Sequence, residues 1–180
     1  MSLNVYDVLY PLLSQELHNL EQWLKAAETH AQAHGSPVEA LLTARLAPDM
    51  FDLRRQVQIA SDHAKAAMAH LSGTELPRYP DEEKTTAELI ARLARTRDFL
   101  DGFNREAFIG AEDRAIQLVY PWATLDFGGL HYLHYWVIPN FMFHVTTAYA
   151  ILRHQGLELG KAQFLGPREG YTGAGSAAAS

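Results

Sequence analysis

The chain has no cysteine among its 180 residues. That excludes thiolate metal sites, iron–sulfur clusters, disulfides and cysteine nucleophiles, so any site chemistry falls to other side chains, the nine histidines first among them. The least expected placement is "NFMFH", Asn140 to His144, inside the apolar run "YWVIPNFMFHVTTAYAIL". On a helix, residues four apart project from one face, as two metal ligands would. The plainer reading is a core histidine and asparagine that satisfy each other or a backbone carbonyl. His63, in "QIASDHAK", lies beside Ala60, Ala64 and Ala67, small residues that leave room for an ion or ligand; its plainer reading is a histidine at the edge of a buried stripe. Asp62 either orients a neighbouring ligand or points to solvent.

His131 and His134, three apart in "HYLH", have a second spacing compatible with ligation, but Pro139 leaves their position relative to His144 open. His30 and His34 share that kind of spacing within the polar stretch "ETHAQAHG", where cations at a helix C-terminus are the expected explanation. No site is assigned to them, and His18 and His70 read as surface or boundary residues. Nothing resembles a "GxSxG" nucleophile elbow or a glycine-rich phosphate loop, which removes Ser/His/Asp hydrolysis and nucleotide binding.

A composition 48% apolar and 20% charged describes a globular chain with a sizeable core. The net charge of −6 comes without a basic run that could follow a phosphate backbone, so nucleic acid is not an expected partner. The N-terminal residues lack a secretory pattern, and the absence of cysteine suits a reducing cytoplasm. No Asp, Glu, Lys or Arg occurs between Asp126 and Arg153, a span long enough to raise a membrane helix. Its histidines, Asn140, Thr146, Thr147 and the dividing Pro139 favour a buried core helix instead.

The elements that must position these residues are helices. Tyr6, Tyr10, Leu13, Leu17, Leu20, Leu24, Ala27 and Ala31 form one stripe of a long first helix, whose start between Asn4 and Tyr10 is left open by Pro11. "SPVE" offers Ser36 as cap and Pro37 as first residue of a short helix ending near "RLAP". Met50, Leu53, Val57, Ala60, Ala64, Ala67 and Leu71 mark a second long helix, stopped by Gly73 and Pro77. Thr85 and Glu88 form a capping box for a third, with Leu89, Leu93, Leu100 and Phe103 on its stripe. Ile116, Leu118, Tyr120 and then Ala123, Leu125, Phe127 alternate as in a small hairpin. The last helix ends at "LRHQG", with Gly156 suited to a left-handed cap, and begins before or at Pro139. The expected fold is an all-α four-helix bundle over 1–166 with a small β-hairpin or irregular insertion before the last helix, followed by a flexible tail over 167–180.

Two motifs, "APDMFDLRRQVQIASDHAK" and "PNFMFHVTTAYAILRHQG", together with the order of long helices and a hairpin before the last one, resemble the DinB/YfiT-like superfamily. More narrowly, the chain is similar to a bacterial branch of it known only as a domain of unknown function. The resemblance covers roughly 1–166. It implies a bundle, often a homodimer, whose better-known relatives hold a divalent metal with one histidine of the second long helix and a His-x-x-x-His pair on the last. Some of those relatives act as metal-dependent transferases or isomerases. Carried over, His63 matches the first ligand and His144 the second histidine of the pair, while Asn140 stands where the first should be.

An amide oxygen is a neutral, harder and weaker ligand than imidazole for zinc or nickel. Either His134 completes the set, or a harder ion binds loosely with water, or the metal is lost. The first functional expectation is therefore a divalent-metal-dependent enzyme of transferase or hydrolase type, with a site between the second and fourth long helices and an apolar pocket lined by Tyr135, Trp136, Phe141 and Tyr149. The second is a metal-free bundle acting as a dimeric binding or structural module. A third is a metal-free pocket for a small apolar molecule. Convergence of His63 and His144 separates the first from the others.

Overall fold

The structure, a computed structural model, describes residues 4–167; the expected flexible tail lies outside the described residues from 168 onward. Helix α1 (Val5–Ala33) starts at Asn4, whose side chain accepts the Tyr6 amide while Asp7 reaches back to the Asn4 amide. This capping box answers where the helix begins, and Pro11 sits inside it with its ring exposed. The short α2 (Val38–Leu42) departs from expectation: Pro37 is its cap, not its first residue. Ser36 does not cap because its hydroxyl donates to Ala31 O, a carbonyl at the end of α1 that also accepts the His34 and Ser36 amides.

Helix α3 (Leu53–Ser72) is capped by Asp52, which accepts the Arg55 amide, and stops at Gly73 with φ 76°. Met50, counted with its stripe, lies in the turn before it. Helix α4 (Thr86–Asp101) opens on the expected Thr85–Glu88 capping box, and Phe103 falls just beyond its end. Strands β1 (Ala115–Tyr120) and β2 (Ala123–Gly128) pair antiparallel, with Ile116 opposite Phe127 and Leu118 opposite Leu125. These are the residues whose alternation marked a hairpin, and they are the ones turned inward.

The last helix begins well before Pro139. It runs as α5 (Gly129–Tyr132), a π-helical turn over Leu133–Val137, and α6 (Ile138–His154), with helical backbone angles at both junctions. Pro139 has no N–H to offer the carbonyl one turn back, and the widened turn falls immediately before it. At its other end α6 closes with a Schellman motif. Leu157 N donates to Leu152 O at 3.1 Å, Gly156 N donates to Arg153 O at 3.1 Å, and Gly156 adopts φ 93°. A final short helix, α7 (Lys161–Leu165), returns to α1, where Asn19 Nδ2 donates to Phe164 O at 2.9 Å.

The four long helices close a ring in space: α1 packs on α4, α4 on α3, α3 on α6 and α6 on α1. Their facing stripes meet in one core, with Leu9, Leu13, Leu17, Leu93, Phe141 and Val145 fully buried. His63 of α3 meets His144 of α6 while His70 of α3 meets Tyr132 of α5, so the first and last partners of this seam run in opposite directions. Among the described residues no helix is long and apolar enough to cross a membrane.

Candidate metal centre

His63 and His144 converge. Their ring centres are 5.7 Å apart, with the planes 18° from parallel. A ring nitrogen bound to zinc at about 2.1 Å puts the ion roughly 3.2 Å from that ring's centre, so two imidazoles on one tetrahedral ion have centres roughly 5 Å apart, and farther at wider angles. The observed separation is compatible with one shared ion. Ala60, Ala64 and Ala67, small side chains buried within about a turn of His63, lie on the helix that packs against α6.

The tautomer of His144 is dictated by its neighbours. Gln56, only 1% exposed, donates from Nε2 to Phe51 O at 3.1 Å, which turns its Oε1 toward His144 Nδ1 at 2.7 Å. Since that oxygen can only accept, Nδ1 carries the proton and Nε2 keeps its lone pair. Burial, then the neighbouring His63 and Arg55, push His144 down to about 4, and burial also lowers His63 against the opposing pull of Asp62. Both rings are thus neutral near pH 7, the form in which imidazole binds a metal.

A pH dependence follows from these depressed values. The unfolded chain takes up a proton on each ring near pH 6.5 whereas the folded chain resists, so the native state is favoured above that pH and loses ground as pH falls toward 4. His144 is expected to contribute about 2 kcal/mol of this loss, after discounting for its partial exposure. Urea unfolding from pH 7 to pH 4.5 should therefore be flatter for His144→Gln than for wild type; parallel curves would remove the assignment.

The remaining candidates stand differently toward the pair. Asn140 Nδ2 donates to Trp136 O at 2.7 Å, on the π turn, which leaves Oδ1 as the side-chain atom able to face an ion. His134 is exposed on the π turn, ten residues before His144 and about 15 Å away along the helix axis. Among the described residues no group of three or more His, Asp or Glu side chains is gathered as a metal site. Asp62 pairs with Lys65 at 2.9 Å and Arg92 at 2.8 Å.

The four aromatic residues expected to line one pocket occupy different surroundings, because their spacing distributes them around the helix. Phe141 is buried in the bundle core. Tyr149 packs on Trp23 and Phe164, and Trp136 packs on Tyr120 and Phe127. Tyr135 stands 68% exposed against His131. An open cleft of about 960 Å³ lies instead beside the Gln56 end of the seam, where Phe51, Arg54, Arg55, Gln58, Glu83 and Lys84 are among its walls.

Two residues of consequence escape the histidine pattern. Gln56 stands seven before His63, two turns along the same face, and an uncharged polar residue at that spacing within an apolar stripe is the signal that marks it. Arg92 is 2% exposed and gathers Asp62, Asp81 and Glu83 around one guanidinium. Its place among Leu89, Leu93 and Thr96 is a comparable signal.

Long helices around one core, a hairpin ahead of the last helix, and an imidazole pair between the second and fourth long helices define a DinB-like helical bundle. The chain belongs to the family described as Domain of unknown function (DUF1993), whose model matches residues 5–165. It is also similar to a DinB family member protein from Shewanella denitrificans of known crystal structure. The two are 40% identical with a TM-score of 0.85, over 94% of this chain and 95% of that one. Comparison with curated proteins returns no match.

Proposed function

We propose that the protein is a divalent-metal-dependent enzyme of transferase or hydrolase type, with His63 and His144 as ligands and Asn140 Oδ1 as a weak ligand or hydrogen-bonding group beside them. The observation that carries this reading is the convergence of two neutral imidazoles from α3 and α6. Two imidazoles with the Asn140 amide oxygen would leave a position for water, as an open centre requires and a closed structural one does not. A zinc or nickel ion held in this way supplies Lewis acidity and lowers the pKa of bound water. The chain's own contribution is to keep both rings neutral by burial, and to offer a small-molecule substrate the cleft walled by Phe51, Arg54 and Arg55.

The test is elemental analysis of untagged protein purified without added metal, beside His144→Ala. Stoichiometric metal in wild type and its loss in the variant are expected. Zinc should also raise the melting temperature of wild type alone, because an ion that binds only the native state stabilises it by mass action. Equal and negligible metal in both proteins would end this reading.

A second reading, a homodimeric binding or structural module, is favoured by a different observation. Val119, Trp122, Tyr135 and Phe143 are 73%, 70%, 68% and 56% exposed. Trp122 stacks on Tyr120, which packs in turn on Trp136, so the hairpin and last helix share one aromatic surface. Exposed apolar area of this kind marks an association surface. Light scattering is expected to give a dimer that Trp122→Glu converts to a monomer, since a buried carboxylate without a partner is strongly unfavourable. A wild-type monomer at all concentrations contradicts it.

A further inference from the structure

We infer that Gln56 is a positioning residue: anchored to the Phe51 carbonyl, it holds His144 as the Nδ1–H tautomer and so presents Nε2 to the α3–α6 seam as the atom available to an ion. The inference deepens the metal-centre reading and rests on it for its use, though not for its geometry. Three observations support it. Gln56 is buried to 1% exposure, so neither end of its amide is satisfied by bulk water. Its Nε2 reaches Phe51 O at 3.1 Å, which only a donor can do, and this assigns Oε1 to the 2.7 Å contact with His144 Nδ1. Phe51 lies in the turn just before Asp52 caps α3, so a backbone carbonyl fixed by that cap is the ultimate anchor of the ring.

The choice of an amide has a chemical consequence. A carboxylate in this place would stabilise the imidazolium and raise the basicity of Nε2, whereas the neutral glutamine orients the ring without doing either. Gln56 therefore sets direction and tautomer while keeping the donor set uncharged. It is the second residue on the α3 face, after His63, that the site requires.

The experiment is 15N NMR of histidine-labelled, metal-stripped protein near pH 7.5, with the His144 ring assigned from the signals lost in His144→Ala. Wild type is expected to show a protonated Nδ1 and an unprotonated Nε2. Gln56→Met should move the ring toward the mixture of free imidazole, in which the Nε2–H form predominates, and Gln56→Glu, which still offers Nδ1 an acceptor though it loses the donor to Phe51 O, should keep Nδ1 protonated. Zinc titration should then shift Nε2 in wild type, with affinity 10- to 100-fold weaker in Gln56→Met. An Nε2–H tautomer in wild type overturns the inference, as does an Nδ1–H tautomer that persists in a folded Gln56→Met. If Gln56→Met does not fold, the wild-type and Gln56→Glu spectra decide alone. Zinc that leaves both His63 and His144 unmoved while the tautomers behave as expected overturns the metal reading and leaves Gln56's role intact.

Discussion

Arg92→Met is expected to destabilise the fold by about 3 kcal/mol in urea unfolding, with a loss below about 1 kcal/mol contradicting the argument. The guanidinium is nearly inaccessible and every edge of it is used. Nε donates to Ser61 Oγ at 3.1 Å, one terminal nitrogen to Pro80 O and Glu83, both at 3.0 Å, and the other to Asp62 at 2.8 Å, with Asp81 at 3.0 Å. Breaking a buried ion network by removing one partner costs about 3–5 kcal/mol because the other charges stay behind. The lower end applies here, for the carboxylates are not stranded. Asp62 keeps Lys65, Asp81 keeps Arg55, and Glu83 keeps Gln58 at 2.8 Å. The two aspartate side chains are also about a third exposed, at 33% and 36%. Arg92→Lys should recover little, since a single ammonium cannot span Ser61, Pro80 and three carboxylates as the fork does. The network ties the segment before α4 to α3 next to His63, so, on the metal-centre reading proposed above, its loss should also weaken zinc binding.

Gly129→Ala should be worse than its size implies, with a loss of 3 kcal/mol or more, whereas Gly128→Ala should cost less than about 1 kcal/mol. A Cβ on Gly129 would stand 1.7 Å from Ala111 O and 2.9 Å from Ala111 C, with Leu71 Cδ2 at 3.2 Å. The obstacle is backbone, so one of the two segments must move by more than an ångström. A Cβ on Gly128 meets nothing within 4 Å, and its φ of −79° suits any residue. Gly129 opens the helix that later carries His144, so, on the metal-centre reading proposed above, the displaced start of α5 should also lower zinc affinity. Thermal melts of the two variants beside wild type test the contrast; equal melting temperatures would show that the 111 turn is not held against α5.

Much of this architecture was legible because it is local. The stripes of α1, α3 and α4 report burial directly, since apolar residues three and four apart must share a helix face. Thr85 with Glu88, and Gly156 after Arg153 and His154, are contacts within four residues, so their side chains and backbone carry the whole instruction. The hairpin was equally plain in Ile116, Leu118, Leu125 and Phe127. Ser36 failed as a cap because a carbonyl of the preceding helix competed for its hydroxyl, and competition of that kind is invisible to a motif.

The bundle, its hairpin and the helix faces bearing His63 and His144 were thus written in residue type and spacing, where each preference is settled by neighbours a turn away. What needed the folded chain were contacts between residues distant in sequence: Gln56 on His144, Arg92 on Asp62, and Trp23 on Tyr149. Such pairings depend on how helices are rotated and set against one another, and the packing of the entire core decides that rotation.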